Sequence, residues 1–349
     1  MKRPMASLAV LALLFLTSLS SAQKYTVTDL GVFGGDVSYA SAINDSGQVV
    51  GASYINKATA VDRAFIWSAS TGLQDLGTLG GYNSRAMGIN NAGQVVGCAD
   101  VSPNNRIPGH AFLWTQSGGM QDLGSLGGGS CAFSINDAGQ VVGYSTVNTN
   151  FDQHAFLWTA ATGMQDLGVP VSSETIAASI NASGMVVGTY YSSVGGTHAY
   201  LWTQGGGIED LGNLGIQEVS AGGINNLGEV VGSSAVRPQT ADLYAGFVWI
   251  ASHRMNRLPS PYPGNDATAS AVSASGEIVG FSLNSKIQQR ATVWLNPSHV
   301  YDLNQLAGNS PLNLEMASGV NSLGQIVGVG TDKKNSAISH AYVATPTGK

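Results

Sequence analysis

The chain has 349 residues, with 15 Lys and Arg against 21 Asp and Glu and a formal net charge of −6. An acidic balance repels phosphate backbones, so nucleic acid is not an expected partner. Charged residues make up only 10% and glycine 46 positions, a composition that suits short strands and tight turns better than long helices.

In chain order, the first segment reads as an address. Lys2 and Arg3 precede an apolar run from Leu8 to Leu16, and Ser20-Ser21-Ala22 follows with small side chains. The run is too short to span a bilayer, so residues 1–22 are expected to be a signal peptide cleaved after Ala22. An uncleaved membrane anchor is the alternative. After cleavage no apolar stretch approaches membrane-spanning length, so a secreted or periplasmic protein without membrane insertion is expected.

Repetition organises everything downstream. The six Trp, at 67, 114, 158, 202, 249 and 294, are spaced by 47, 44, 44, 47 and 45 residues. The motif Ile-Asn-x-x-Gly-Gln-Val-Val-Gly begins at Ile43, Ile89 and Ile135, with variants at Ile180, Ile224, Val272 and Val320, which makes seven units. Each unit reads as four strands: a small-residue segment ending in Ile-Asn, then Gln-Val-Val-Gly, then Ala-Phe-Leu-Trp, then Gly-Met-Gln-Asp-Leu-Gly. Asn and Gly between the first two suit a tight hairpin. Four short strands in about 45 residues, repeated, predict an all-β, seven-bladed β-propeller formed by residues 23–349.

The ends of the repeat array are complementary. Tyr25 to Gly31 (YTVTDLG) is a fourth strand with no first three before it. His340 to Thr345 (HAYVAT) is a third strand with no fourth after it. The N-terminal strand is therefore expected to complete the last blade and close the ring. An open solenoid with unrelated caps is the competing arrangement, and it would leave strand edges bare.

Comparing units with one another exposes a covariation. The residue four before Trp is Arg63, His110, His154, His198 or Arg290, and twelve residues later stands Asp75, Asp122, Asp166, Asp210 or Asp302. In the fifth unit both are replaced, by Ala245 and Arg257. The offset predicts cross-strand pairs on opposite positions of a hairpin, with His340 and Asp29 as the pair that joins the chain ends. Spread one per blade, these residues point to structural pairing rather than a metal site or catalytic dyads, and neither metal nor cofactor is expected. The Trp side chains are expected in the core between blades, with sugar-stacking platforms as the alternative. Cys98 and Cys131 fall at strand ends of adjacent blades, either as a disulfide or as two buried thiols.

His110-Ala111-Phe112 and His154-Ala155-Phe156 with Leu-Trp, Asp-Leu-Gly-x-Leu-Gly-Gly and the Ile-Asn motif resemble the HAF-repeat family of bacterial extracellular proteins. The resemblance spans the mature chain and implies an exported repeat protein, with no catalytic residues or substrate to carry over. Arg257-Leu258-Pro259 and Asp302-Leu303-Asn304 depart from its pattern.

No Gly-x-Ser-x-Gly, His-Glu-x-x-His or phosphate loop appears. Constant strands with variable loops between the second and third strands, on the face shared with the fourth-to-first crossings, point to binding there. Tyr82, Asn83, Asn104, Arg106, Phe151, Asp152, Tyr191, Tyr244, Tyr262 and Asp266 are the candidate contacts. The expected function is a monomeric, non-catalytic binding, adhesion or structural repeat protein, with an extracellular glycan or protein as its ligand. The alternative is a polysaccharide hydrolase or lyase on the same scaffold.

Overall fold

A computed structural model of the protein describes residues 24–58, 61–103, 109–147, 152–168, 174–192, 195–236 and 243–347. The expected leader, residues 1–22, lies outside them. The fold is a seven-bladed β-propeller, with each blade a four-stranded antiparallel sheet. Blade 1 is Ser38–Ile43, Val49–Tyr54, Asp62–Ser68 and Gly72–Asp75, from the innermost strand to the outermost. Blades 2 to 6 begin at Ser84, Ser130, Thr175, Val219 and Ala267. No described helix is long and apolar enough to cross a membrane.

Blade 7 closes the ring with both ends of the described chain. Lys24–Asp29 pairs antiparallel with Ser339–Thr347, in register from Lys24 opposite Thr347 to Asp29 opposite Tyr342. Leu30 N–H then donates to Ala341 O at 3.0 Å, carrying the ladder one step further.

The second strands read as continuous apolar runs because both faces are covered by neighbouring blades. Val49 and Val50 are fully buried, as are Val95 and Val96. Val50, Ala64 and Ile66 of blade 1 pack against Ala86, Val95 and Phe112 of blade 2, and comparable clusters fill the other interfaces. The Phe of Ala-Phe-Leu-Trp is fully buried at Phe65, Phe112 and Phe156, and each such burial contributes about 1.5–3 kcal/mol.

The repeated Asn does more than turn a hairpin. Asn90 Oδ1 accepts from the amides of Ala92 and Gln94 at 3.1 and 3.0 Å, closing its own turn. Its Nδ2 donates to Asn136 O of the next blade at 3.1 Å. Asn44, Asn136, Asn181, Asn225 and Asn321 repeat the link around the ring. Ser273 replaces Asn in blade 6, and its hydroxyl turns to Ser275 instead. The positive φ needed for the turn falls on glycine, at +75° for Gly47 and Gly93, not on Asn.

A second staple comes from the first residue of the innermost strand in blades 1 to 4. Ser84 Oγ accepts from Ala64 N–H at 3.0 Å and donates to Gly77 O at 2.6 Å. Ser130, Thr175 and Ser38 accept in the same way from Ala111, Ala155 and Ala341.

The basic–acidic positions lie together in six blades. Arg63–Asp75 is 3.3 Å, His110–Asp122 2.9 Å, His154–Asp166 2.6 Å, His198–Asp210 2.7 Å, Arg290–Asp302 3.0 Å and His340–Asp29 2.9 Å. They are diagonal rather than directly opposite, since Asp75 faces Phe65 and Asp122 faces Phe112 in the ladder. One carboxylate oxygen also accepts from the glycine amide two residues on, as Asp122 does from Gly124 at 2.7 Å. The Asp thus fixes both its partner and the following turn.

In blade 4 Tyr190 joins the pair, its hydroxyl donating to Asp210 at 2.9 Å while its ring stacks on His198. Burial pushes the Asp210 carboxyl up, but the Gly212 amide, His198 and Tyr190 outweigh it and hold it below its ordinary value. A depressed carboxyl stabilises the fold above its unfolded pKa of about 3.9, and that contribution is lost as pH falls through the lower folded value. Tyr190→Phe is therefore expected to shrink the stability lost below about pH 4, read by urea melts across pH.

Three further features qualify the sequence reading. Trp158, Trp249 and Trp294 are buried, at 8%, 2% and 0% exposure, but Trp67, Trp114 and Trp202 are only half-buried. The crossing to blade 7 forms a short helix, Leu303–Leu306, capped by Asp302 accepting from Asn304 N–H. Cys98 and Cys131 form a disulfide between blades 2 and 3, closing a sequence separation of 33. A loop of that size favours the folded state by about 3–4 kcal/mol in the chain-entropy account. Replacing both cysteines with Ala is expected to lower the melting temperature by several degrees, and added reductant should then have no further effect.

Candidate functional site

The second-to-third loops and the fourth-to-first crossings share one face because the backbone ties them together. Gly35 N–H donates to Tyr54 O and Gly81 N–H to Asp100 O, both at 2.9 Å. A Cβ on Gly35 would meet Tyr54 and Asn56 closely, so these crossings can dock only without side chains.

Ten loop-face positions are candidate contacts from the sequence. Asn104, Arg106 and Phe151 lie outside the described residues. Tyr82 and Tyr191 stand out into solvent, at 56% and 50% exposure. The other side chains are mostly committed to the scaffold. Asn83 Oδ1 accepts from Asp62 N–H at 3.2 Å, its Nδ2 donates to Asp100 at 2.8 Å, and Asp266 Oδ1 accepts from Tyr244 N–H at 2.9 Å. Both cap the start of a neighbouring third strand. The Tyr244 hydroxyl donates to Glu218 at 2.6 Å, and that of Tyr262 to Asp302 at 2.6 Å. The Asp152 carbonyl accepts from Val147 N–H at 3.1 Å.

A polar group that the loop comparison passes over lies between blades 1 and 2, behind Tyr39 of the channel wall. Asp62 opens the third strand of blade 1 and is 1% exposed. Its Oδ2 accepts from Arg85 Nε at 2.5 Å and also meets Arg85 Nη2. Its Oδ1 is buried with no hydrogen-bond partner. Arg85 lies on the innermost strand of blade 2 and keeps 57% of its side chain exposed. Burial and then the charge of Asp62 push the Tyr39 phenol far above its ordinary value, and its hydroxyl is hydrogen-bonded to the Asp62 side chain. Beside Arg85, a pocket of about 250 Å³ is bounded by Asp100, Tyr144 and the Cys98–Cys131 disulfide.

The signal for this group lay in the innermost strands. Their second residues are Tyr39, Arg85, Cys131, Ile176, Ser220 and Thr268 in blades 1 to 6, no two alike. An Arg among small residues, in a chain only 10% charged, marks an exception to the repeat. The central channel holds about 650 Å³ and is walled largely by Ala, Ser, Gly, Met and Ile, with Tyr39 and Ile176 of these six in its wall. Among the described residues no cluster of three or more His, Cys, Asp or Glu is arranged to hold a metal.

No known protein family and no curated protein matches the chain. Solved structures do. The chain is similar to virginiamycin B lyase from Staphylococcus aureus at 11% identity, with TM-score 0.58 over 92% of this chain and 99% of that one. It resembles a puromycin hydrolase at 11% identity with TM-score 0.56, over 90% of this chain but only 53% of the hydrolase. It also resembles the BP39L lectin from Burkholderia pseudomallei at 9% identity with TM-score 0.53, over 93% and 96% of the two chains. At these identities the likeness is one of scaffold, shared by enzymes and a lectin, and the common element is the β-propeller.

Proposed function

We propose that the protein is an exported, non-catalytic binding module whose ligand is a polyhydroxylated molecule, an extracellular glycan, held on the loop face beside Arg85. The observation that carries this reading is the Arg85 guanidinium, which is anchored on the buried Asp62 carboxylate yet keeps 57% of its side chain exposed beside the pocket of about 250 Å³. Arg85 turns its free N–H groups to sugar hydroxyls, while Asp62 and Tyr39 behind it fix its orientation. Tyr82 and Tyr191 on the same face offer apolar ring surface. The leader-like segment and the resemblance to exported HAF repeats support a place outside the cytoplasm.

The test is a glycan array run beside a polysaccharide-degradation screen on the mature protein. Saturable binding to one glycan class with no new reducing ends is the expected result. Turnover would replace this reading with a hydrolase or lyase.

A further inference from the structure

We infer a second ligand site, for a neutral pyranose sugar, in the cleft between blades 1 and 2 on the face opposite the loops. It stands independently of the Arg85 reading, because none of its residues is shared with it.

The cleft holds about 620 Å³. That lies within the range of about 300–1,000 Å³ typical of small-ligand sites. One wall is the third-to-fourth hairpin of blade 1, with Ser68, Ser70 and Thr71, and the other is blade 2 from Asn91 to Gln94 and Trp114 to Ser117. Trp67 and Trp114 line it, and both are half-buried, whereas Trp158, Trp249 and Trp294 are almost fully enclosed. The indoles at this interface thus retain surface that the blade core does not use.

The remaining lining is polar and uncharged. Gln48 Oε1 accepts from Asn44 Nδ2 at 2.8 Å and Gln94 Oε1 from Asn90 Nδ2 at 2.7 Å. Each glutamine oxygen is therefore committed to the Asn turn of its own blade. Each Nε2 is left to donate, with no partner among the described residues. Gln74 and Gln116 add two exposed amides at the rim. No Asp, Glu, Lys, Arg or His lines the cleft. Phosphate, carboxylate and cationic ligands find no counter-charge there. A pyranose presents a ring of C–H bonds to an indole and hydroxyls to amides, which is the chemistry this lining offers.

The repeats themselves show that this set is not demanded by the fold. The positions equivalent to Gln48 and Gln94 are Gln140, Met185, Glu229, Glu277 and Gln325. Two Trp and two Gln meet only where blades 1 and 2 or blades 2 and 3 adjoin. At the second of these, Trp158 is down to 8% exposure. The open form of the set is confined to the first interface.

The test uses neutral di- and trisaccharides built from glucose, galactose, mannose and N-acetylglucosamine, titrated against the mature protein by calorimetry and tryptophan fluorescence. At least one should bind and perturb the emission. Gln74→Ala with Gln116→Ala, both at exposed positions, should weaken binding tenfold or more at unchanged melting temperature, and Trp114→Phe, which trims an indole packed on the blade 1–2 core, should weaken it as much in a protein that still melts cooperatively. Gln165→Ala, at the matching position of blade 3, should leave binding as in the parent. Absence of binding by every saccharide, or binding that the cleft variants leave intact, would overturn the site.

Discussion

Deletion of residues 24–30 is expected to lower the melting temperature by more than about 10 °C and to make the protein self-associate. That strand supplies the whole outermost ladder of blade 7. It also buries Tyr25 and Leu30, at 4% and 6% exposure, and Tyr25 donates to Glu277 of blade 6 at 2.9 Å. Two such burials are worth about 1.5–3 kcal/mol each. The lost ladder and the His340–Asp29 pair add to this, against a net stability of about 5–15 kcal/mol for a whole domain. The deletion also bares the edge of Ser339–Thr347, a nine-residue strand free to pair with another copy. Asp29→Ala isolates the pair and its turn from the ladder, and about 1 kcal/mol is expected from that change. Thermal melts with light scattering separate the two effects. A deletion variant that melts like the parent would mean the ring does not depend on this closure.

Gly143→Ala is expected to destabilise by about 1–3 kcal/mol or more, out of proportion to one methyl group. An added Cβ would strike the Cys131 carbonyl oxygen and lie 2.9 Å from Ala132 Cα. Both obstacles are backbone at the bulge between Ala132 and Ser134, so neither can rotate away. The same clash with the facing carbonyl recurs at Gly51, Gly97, Gly188, Gly232, Gly280 and Gly328, and at Gly51, Gly97 and Gly232 the aromatic ring of the third strand presses from the other side. This is a close-approach glycine, unlike the turn glycines. Gly72 has open space around its Cβ position and is strained only by its φ of +67°. Denaturant unfolding of Gly143→Ala should show a lower midpoint at an unchanged slope.

These two positions also show what a single sequence discloses. Blade number, strand order and the shared last blade follow from repetition, because each unit restates the same burial pattern. The pairing of His and Asp was visible through the joint loss at Ala245 and Arg257. Its diagonal geometry was not, because an offset of twelve fits either register until the hairpin turn is known. The Asn residues read as turn formers, and their link to the next blade stayed hidden because a repeat motif shows only contacts within its own unit. Loop variation singled out one face, and most of the described residues it names there are engaged with the scaffold. Asn83 and Asp266 vary in identity yet perform one capping task. Asp62 and Arg85 belong to strands and were set aside with the scaffold. The half-exposure of Trp67 and Trp114 depends on how tightly neighbouring blades meet, which the Trp spacing does not encode.

The functional account turns on Arg85 and the buried Asp62 carboxylate that orients it, and its most direct test is equilibrium titration of the glycan selected on the array. The parent protein, Asp62→Asn and Tyr39→Phe would each be measured after thermal melts show them folded. Asp62→Asn keeps the shape and removes the charge, and a loss of affinity of tenfold or more is predicted, with a smaller loss for Tyr39→Phe. Equal affinity in Asp62→Asn and the parent would contradict a ligand beside Arg85.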